Sequence, residues 1–585
     1  MARRPASASG QLNAESRADA LAAMSGEELD ILIVGGGIVG AGAALDAATR
    51  GLKVGLVEAR DWASGTSSKS SKLVHGGIRY LEQLNFTLVH EALLERGLLL
   101  TKLAPHLVKP IRFLYPTTHP VWERAYIGAG MMLYDTLSHL GRNEVGVSHH
   151  RHLSKRQIEM AAPSIKKDAL VGGMFYYDGR VDDAKYVVNL VRTAAHFGAQ
   201  VANRAQVVSF LRDGDRVVGA VIRDELTAKT HEIRARQVIN ATGVWTSETQ
   251  RMVGEDAAKL KVRASKGVHI LVEKNKFKST MGLLLRTEKS VLFVIDWGRF
   301  WIIGTTDTDW HLDLAHPVAT ASDIDYILGH INAVIDEPIT HDDIVGVYSG
   351  LRPLIAGNSE DTATLSREHV VSQAEPGLVL IAGGKWTTYR IMARDVVDAA
   401  VANLPEVVAE SVTEDIPLLG ASGYVARFNQ RDALAQRWGL SLAAIDHLLD
   451  RYGDMIDDLV AIIDENPVFA ELIPGSRDYL QAEIVYAARF EGALHIEDVL
   501  ERRTRMSFEA RDSGAAAAPV VAALMGAELG WNDWRITREL RSYLARVEAD
   551  KAARTQVDDQ SAESMWHAIA DGTQLLGDDL EGAQG

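Results

Sequence analysis

The sequence predicts a mixed α/β (α+β) fold with a Rossmann-like domain, an antiparallel-sheet domain inserted into it, and a C-terminal all-helical cap domain. Three observations predict this arrangement. Residues 30–58 have the pattern of a strand, a glycine-rich turn, a helix and a second strand. Short β-rich segments dominate residues 201–305, and beyond Pro405 the apolar residues recur with helical periodicity.

Residues 30–58 carry the features of a dinucleotide-binding βαβ unit. A short apolar run is followed by Gly35, Gly37 and Gly40 in G-x-G-x-x-G spacing. Such glycines allow a tight turn, close approach of a pyrophosphate and close packing of the helix on the strand. Glu58 ends the second strand, where a carboxylate accepts hydrogen bonds from ribose hydroxyls. The segment predicts a dinucleotide site, and a purely structural βαβ unit is the alternative.

Composition limits the classes of function. A chain of 585 residues suggests two to four domains, and a net charge of −16 argues against nucleic acid as a main partner. The sequence has no cysteine, which excludes disulfides, thiolate metal sites, iron–sulfur clusters and a cysteine nucleophile. Redox chemistry would therefore need a bound organic cofactor.

Neither end of the chain resembles a folded or membrane-spanning element. Residues 1–29 lack the apolar run of a secretory signal, and residues 551–585 are polar and acidic, so both are predicted to be disordered tails. No apolar stretch reaches the roughly 20 residues that a spanning helix needs. Residues 125–141 are shorter and contain Asp135 and His139, which favours a packed helix.

Two further loops have functional composition. Residues 65–81 are rich in Gly, Ser and Thr and also contain Lys72, His75, Arg79 and Tyr80, which could bind anions or transfer protons. A flexible linker is the alternative. Residues 383–390 form a second glycine-rich strand-to-helix turn that could offer helix N-terminal amides to a cofactor.

These segments carry a family resemblance. Residues 34–51, VGGGIVGAGAALDAATRG, and residues 383–393, GGKWTTYRIMA, resemble the two signature segments of the FAD-dependent, quinone-linked glycerol-3-phosphate dehydrogenases. Further segments resemble family motifs and follow the family's order: SSKLVHGGIRYLE, GRVDDAK, NATGVW, KGVHI, IIGTTDTD and YSGLRPL. The resemblance extends from about residue 30 to about residue 545.

The resemblance implies a cofactor, a reaction and a location. FAD would bind across the first βαβ unit, and hydride would pass from C2 of sn-glycerol 3-phosphate to the flavin, giving dihydroxyacetone phosphate. Electrons would then pass to a membrane quinone, so the protein would be cytoplasmic and peripherally attached to the inner face of the cell membrane. The oligomeric state stays open, with a homodimer as one option.

The predicted domains follow this resemblance. The FAD-binding domain comprises residues 30–108, 171–260 and 351–404. The substrate domain comprises residues 109–170 and 261–350, and the helical cap domain comprises residues 405–550.

Candidate site residues come from the matching motifs. A phosphate monoester suits planar guanidinium groups, so Arg79, Arg352 and Arg367 are its expected ligands, with Tyr80 as a further donor. Arg352 is also a candidate for the chemistry, and Lys385 is a candidate for stabilising reduced flavin or substrate oxygens. His75 and His269 are alternative general bases. The candidate FAD ligands are Gly35, Gly37, Gly40, Glu58, Ser67, Ser68, Ser71, Leu73, Gly243, Asp307 and Gly384.

Membrane contact has one candidate segment. Residues 531–546 interleave aromatic and leucine side chains with four arginines, which is typical of an interfacial helix and equally of the last helix of a domain.

Two other classes of function stay open. A flavin oxidase could use oxygen on the same substrate or act on an amino acid, although the phosphate-binding arginines argue against the amino acid. A flavin-binding interaction module without turnover is disfavoured by the intact motifs around Arg79, Arg352 and Lys385.

Overall fold

The computed structural model describes residues 10–77, 85–117, 119, 122–139, 147–254, 260–288, 291–356 and 368–578. These residues form two large β-sheets, the helices that cover them, and a helical C-terminal region. The described strands are β1 (Leu29–Val34), β2 (Val54–Val57), β3 (Leu73–Val74), β4 (Val108–Thr117), β5 (Arg151–Ser154), β6 (Gly172–Val181), β7 (Gln200–Ala202), β8 (Ala205–Asp213), β9 (Arg216–Asp224), β10 (Thr230–Asn240), β11 (Val262–Glu273), β12 (Gly282–Arg286), β13 (Val291–Trp297), β14 (Phe300–Gly304), β15 (Thr308–Trp310), β16 (Ile344–Ile355), β17 (His369–Glu375) and β18 (Leu378–Gly383).

The α-helices lie between and after these strands. They are α1 (Ala14–Gly26), α2 (Ile38–Thr49), α3 (Phe86–Leu98), α4 (Trp122–His139), α5 (Lys155–Ala161), α6 (Asp183–His196), α7 (Thr246–Arg251), α8 (Ala321–Val334), α9 (Tyr389–Val401), α10 (Tyr424–Asn429), α11 (Arg431–Trp438), α12 (Leu442–Tyr452), α13 (Ile456–Glu465), α14 (Gln481–Phe490), α15 (Met506–Glu509), α16 (Ala518–Leu529), α17 (Asp533–Ala553) and α18 (Asp559–Asp578).

The eight-stranded sheet is the predicted Rossmann-like domain, which is thereby confirmed. Its central path is β17-β18-β10-β1-β2-β7, and the β8–β9 hairpin extends from β10. β1 pairs in parallel with β2 and β10, and β10 pairs in parallel with β18. Ile31 and Ile33 belong to the core that includes α2 on one face, while Leu32 and Val34 belong to the core on the other face, which includes residues of α1. Such two-sided cover explains the continuous apolar run in β1.

The ten-stranded sheet is largely antiparallel and follows the order β15-β11-β14-β13-β12-β4-β6-β3, with β16 on β11 and β5 on β6. This sheet includes a strand, β6, that lies beyond a predicted domain boundary. The sequence predicts that residues from 171 onward belong to the FAD-binding domain, but β6 pairs with β4 from Val108↔Val181 to Thr117↔Gly172. The predicted boundary at residue 171 is therefore wrong. β3 pairs with β6 as well, so the chain reaches this sheet at Leu73.

The predicted N-terminal tail contains a helix. α1 is capped by Asn13, whose side chain accepts from the amide of Ser16 at 2.8 Å. Leu21 and Met24 are buried against the eight-stranded sheet, and Arg17 donates to two backbone carbonyls and pairs with Asp224. The prediction of disorder over residues 1–29 is therefore wrong for residues 14–26, because this short helix supplies part of the cover of the sheet.

The predicted C-terminal helical domain is present as α10–α17, but the chain does not become disordered at residue 551. α18 follows α17, and its Ala562 and Trp566 are buried with Trp310 and Val318. Ala562, Trp566 and Ile569 recur at helical spacing and form the apolar stripe that seats this helix. The predicted tail is therefore wrong for residues 551–578.

Buried ion pairs join the C-terminal helices to the Rossmann-like domain. Asp61 is fully buried and bonds Arg502 and Arg503, with distances of 2.6 and 2.7 Å to the two terminal nitrogens of Arg503. Burial alone would raise the pKa of Asp61, but the charges of Arg503 and Arg502 lower that pKa to about 2. Asp183 is fully buried too, and it pairs with Lys72 at 2.7 Å and Arg505 at 2.8 Å.

Asp61→Asn is expected to lower the free energy of unfolding by about 3 to 5 kcal/mol, because two buried guanidinium groups lose their shared carboxylate. The folded pKa of about 2 is below the unfolded value of about 4. The stabilisation is therefore present above about pH 4 and is lost as the pH falls toward 2. Urea unfolding at pH 5 to 8 should show a constant difference between the two proteins.

The matched control for this substitution is Asp398→Asn. The Asp398 side chain is 53% exposed and bonds Arg50, which also pairs with Asp46. An exposed ion pair contributes about 0 to 1 kcal/mol. Equal destabilisation by the two substitutions would contradict a special role for the buried Asp61 pair.

Candidate functional site

A large cavity lies where the two sheets meet. It has a volume of about 710 Å³, within the range typical of sites for organic ligands. Its walls include the carboxyl ends of β1, β10 and β18, together with residues from β3 and β16. Ligands of open parallel sheets bind at this edge, outside the carboxyl ends of the strands.

The first glycine-rich turn forms one end of the cavity. Gly35 and Gly37 line it, and Gly37 is the N-cap of α2 with no side-chain capping bond. A Cβ atom on Gly40 would lie 1.9 Å from the carbonyl oxygen of Gly35, so only glycine allows this close approach of helix and turn. Ser67 Oγ accepts from the amide of Ile38 at 2.9 Å and joins the serine-rich loop to the helix start.

Glu58 lies on the same wall at the end of β2. Its carboxylate accepts from the backbone amides of Gly36 at 2.7 Å and Arg60 at 2.8 Å. These bonds fix the carboxylate in position. Each carboxylate oxygen can accept more than one hydrogen bond, so Glu58 retains capacity for hydroxyl groups in the cavity.

The second glycine-rich turn forms another wall. Gly384 has φ +78°, and a Cβ there would lie 2.5 Å from Met392 Sδ, so the turn requires glycine. Lys385 follows on the wall. Thr387 Oγ1 accepts from the backbone amide of His75 at 3.1 Å, which joins this turn to the loop after β3.

Arg352 reaches the cavity from β16. Its Nη2 atom donates to Thr305 Oγ1 at 2.9 Å and to the carbonyl of Thr306 at 3.1 Å. Its Nη1 atom lies 3.7 Å from an Asp307 carboxylate oxygen, and the Asp307 side chain also bonds Ser265. The side chain is 21% exposed, so a supported guanidinium meets the cavity.

The two candidate bases occupy different places. His75 lines the cavity, and the amide of the next residue, Gly76, donates to Tyr134 Oη at 2.9 Å. His269 is buried behind Ser71, with its Nε2 atom 2.8 Å from Ser71 Oγ and its ring stacked on Tyr348. Burial, followed by the charges of Arg352 and Lys72, lowers the pKa of His269 well below its ordinary value, so its imidazole is neutral at neutral pH.

The structure brings most of the candidate residues to this cavity, although their individual roles stay predictions. On the wall are Gly35, Gly37, Glu58, Ser67, Ser71, Leu73, His75, Gly243, Arg352, Gly384 and Lys385. Gly40, Ser68, His269 and Asp307 are outside the described lining. Arg79, Tyr80 and Arg367 lie outside the described residues. Lys72, which the sequence suggested as an anion ligand, instead pairs with buried Asp183.

Two residues on the cavity wall, Thr387 and Trp245, are not among the site residues predicted from the sequence. Thr387 positions the backbone of His75, and Trp245 lies on the wall with the Arg60 guanidinium 4.8 Å from its ring centroid. Both lie within or beside quoted motifs, GGKWTTYR for Thr387 and NATGVW for Trp245. Those motifs were the available signal, but they do not show which member faces inward.

Comparison with known proteins gives the family. Residues 30–399 match the family described as FAD dependent oxidoreductase, and residues 411–536 match the C-terminal domain of alpha-glycerophosphate oxidase. Glycerol-3-phosphate dehydrogenase 2 of Mycobacterium bovis is 52% identical over 554 residues, covering 95% of this chain and 94% of that protein. The chain belongs to the FAD-dependent glycerol-3-phosphate dehydrogenase family.

Two further glycerol-3-phosphate dehydrogenases are less similar to this chain. The human mitochondrial glycerol-3-phosphate dehydrogenase is 37% identical over 563 residues, covering 92% of this chain and 76% of that protein. The solved glycerol-3-phosphate dehydrogenase of Bacillus halodurans, complexed with FAD, has a TM-score of 0.75 and 29% identity. The structural match covers 92% of this chain and 98% of the Bacillus halodurans chain.

FAD is the cofactor of this dehydrogenase-family chain, and the cavity fits it. A diphosphate suits the glycine turn and the uncapped start of α2. A ribose suits the Glu58 carboxylate, which the backbone amide of Gly36 holds in place. The second glycine turn places Lys385 on the same wall. A cationic side chain there can stabilise negative charge on a reduced flavin.

Proposed function

We propose that this chain oxidises sn-glycerol 3-phosphate to dihydroxyacetone phosphate. The observation that carries the proposal is the placement of His75, Arg352 and Lys385 on one cavity beside the flavin-binding turns. Relatives that cover nearly the whole chain carry the name glycerol-3-phosphate dehydrogenase. The cavity thus combines an anion-binding guanidinium, a second cation and an imidazole.

Arg352 would bind the substrate phosphate. Its bonds to Thr305 and Thr306 fix the guanidinium before substrate arrives, which reduces the ordering cost of binding. A guanidinium can present parallel N–H groups to phosphate oxygens. Arg79, Tyr80 and Arg367 are proposed as further phosphate ligands from their motifs alone.

His75 would remove the proton of the substrate C2 hydroxyl. When bound, FAD supplies the acceptor for the hydride that leaves C2. His75 is the better of the two candidates because it lines the cavity, whereas His269 contacts the cavity residue Ser71 from behind. Lys385 would stabilise the negative charge that develops on the substrate oxygen or the reduced cofactor.

A membrane quinone would receive the electrons, at the inner face of the cell membrane. Among the described residues no helix is long and apolar enough to cross a bilayer. α17 also gives little support as an anchor, because Trp531, Leu540 and Tyr543 near and within it pack into the C-terminal core. Trp534, by contrast, is 42% exposed.

An oxidase that uses oxygen is the second candidate, because residues 411–536 match a domain named from alpha-glycerophosphate oxidase. The proposal predicts that glycerol 3-phosphate bleaches the flavin absorbance anaerobically and that turnover with a soluble quinone exceeds turnover with oxygen. Absorbance and a peroxide assay on one FAD-loaded preparation measure both. Stoichiometric peroxide at the rate of quinone reduction would make the chain an oxidase, and absence of bleaching would reject the substrate.

A further inference from the structure

A second cavity lies between the Rossmann-like domain and the C-terminal helices. Its volume is about 390 Å³. One side is formed by the loop after β2 and by β16, and the other by residues before α15 and along α17. Arg60, Ser64, Arg204 and Ala315 line both this cavity and the FAD cavity, so the two share a wall.

The lining of this second cavity is strongly cationic. In the described part of the chain it includes eight arginine or lysine side chains and four carboxylates. The cations are Arg60, Lys69, Arg204, Arg502, Arg535, Arg538, Arg546 and Arg554, and the carboxylates are Glu497, Glu501, Glu539 and Asp550.

Two carboxylates of the wall are each shared by three cations, and Asp498 and Asp61 behind the wall also pair with Arg204 or Arg502. The excess positive charge therefore lies on the arginines without a carboxylate partner. The pairs are Glu497 with Arg204, Arg502 and Arg546, and Glu501 with Lys69, Arg502 and Arg546.

Three of the arginines have no carboxylate within 4.0 Å among the described residues: Arg60, Arg538 and Arg554. Arg60 donates to the Ala315 carbonyl at 3.2 Å, and Arg554 donates to the Val347 carbonyl at 3.2 Å. Burial lowers the pKa of both Arg60 and Arg554. The positive charges of Arg60 and Arg554 are therefore only partly neutralised by carboxylates of the protein.

Buried donors on the wall also lack acceptors. The Nε atoms of Arg204 and Arg546 are buried without a hydrogen-bond acceptor in the described part of the chain. Both side chains line the cavity, so their guanidinium groups add positive charge to its wall. Ser64, Ser507 and Ser542 add hydroxyl groups to the same lining.

We propose that this second cavity binds a small phosphate-bearing molecule in the FAD-loaded protein. Phosphate oxygens accept several hydrogen bonds and match the planar guanidinium group. The volume exceeds that of one inorganic phosphate, so the cavity has room for an organic part beside the phosphate group. Arg60 and Arg204 line both this cavity and the FAD cavity. The ligand would therefore contact the wall that separates the two cavities on one side and α17 on the other.

Calorimetric titration of the FAD-loaded protein with inorganic phosphate tests this proposal. Sodium chloride at equal ionic strength serves as the blank. Phosphate could also enter the substrate site, so the titration is made in Arg352→Ala, which weakens that site. One binding event should persist there, and adding Arg538→Gln and Arg554→Gln should weaken it by about tenfold or more, since two cations are removed.

Arg541→Gln, made in the same Arg352→Ala protein, is the matched control. Arg541 is exposed on α17, as Arg538 is, but it is absent from the described lining of the second cavity. Phosphate affinity should be unchanged in this control. The proposal is overturned if phosphate binding disappears in Arg352→Ala alone, or if the Arg538/Arg554 variant binds phosphate as Arg541→Gln does.

Loss of FAD and loss of activity are distinguished from loss of phosphate binding. If the double substitution prevents FAD binding, the exposed Arg538→Gln alone carries the test. Because binding heat does not depend on turnover, a chain inactive on glycerol 3-phosphate could still support this site, and an active chain could reject it.

Discussion

Arg352→Ala is expected to lower kcat/KM for glycerol 3-phosphate by about 100-fold or more, mainly through a higher KM. Its guanidinium is held by Thr305 and Thr306 and still faces the cavity. A bound phosphate that loses this partner stays desolvated without a matching donor. Steady-state kinetics at constant ionic strength measure the effect, and the flavin absorbance reports cofactor content.

Arg263→Ala is the matched control for this variant. Arg263 lies on β11 next to β16, but it pairs with Asp309 and is outside the described lining of the FAD cavity. Its replacement should leave KM nearly unchanged. Arg352→Lys should fall between the two, because an ammonium keeps the charge but loses the planar fork. Unchanged kinetics in Arg352→Ala would remove Arg352 from the phosphate site.

Local sequence patterns predicted the first βαβ unit well. The structure places β1, α2 and β2 within residues 29–57, and Glu58 follows on the cavity wall. The reason is that the strand, turn and helix signals of this unit lie within thirty residues and act on neighbouring backbone. Gly40 needs glycine because of a contact only five residues away, with Gly35.

Contacts between distant segments were not predictable in this way. Asp61 bonds Arg502 and Arg503, which are more than 440 residues further along the chain. The sequence predicts that Lys72 could bind an anionic ligand, yet its ammonium group bonds Asp183 and the Ser68 carbonyl in a fully buried position. Charge type was visible in the sequence, but the partner that neutralises each charge depends on tertiary packing.

The same limit explains the two histidines. Both lie in motifs, and residue type alone gives each a suitable imidazole. β3 carries His75 to the junction of the sheets, whereas pairing of β11 with β14 buries His269 against Gly304. Only the sheet register separates a side chain on the cavity wall from one behind it.

His75→Gln is expected to lower kcat by about 10²- to 10⁴-fold while FAD stays bound, because glutamine cannot accept the hydroxyl proton. The His75 backbone is held by Thr387, and its neighbour Gly76 is held by Tyr134, so the loop should keep its path. Kinetics from pH 5 to 9 measure kcat and its pH dependence. The pH dependence of kcat should differ between the wild type and the variant, because the proposed base is removed.

His269→Gln provides the comparison that decides between the two imidazoles. Since His269 is buried and contacts the cavity residue Ser71 from behind, its loss should reduce kcat by less than about tenfold and leave the pH dependence unchanged. Its low pKa also means that protonation of His269 does not set a limb near neutrality. A large loss of kcat with a changed pH dependence in His269→Gln, together with a mild effect in His75→Gln, would transfer the role of base to His269. Ser71→Ala would then separate relay through the hydroxyl from direct proton transfer, since only a relay requires Ser71 Oγ.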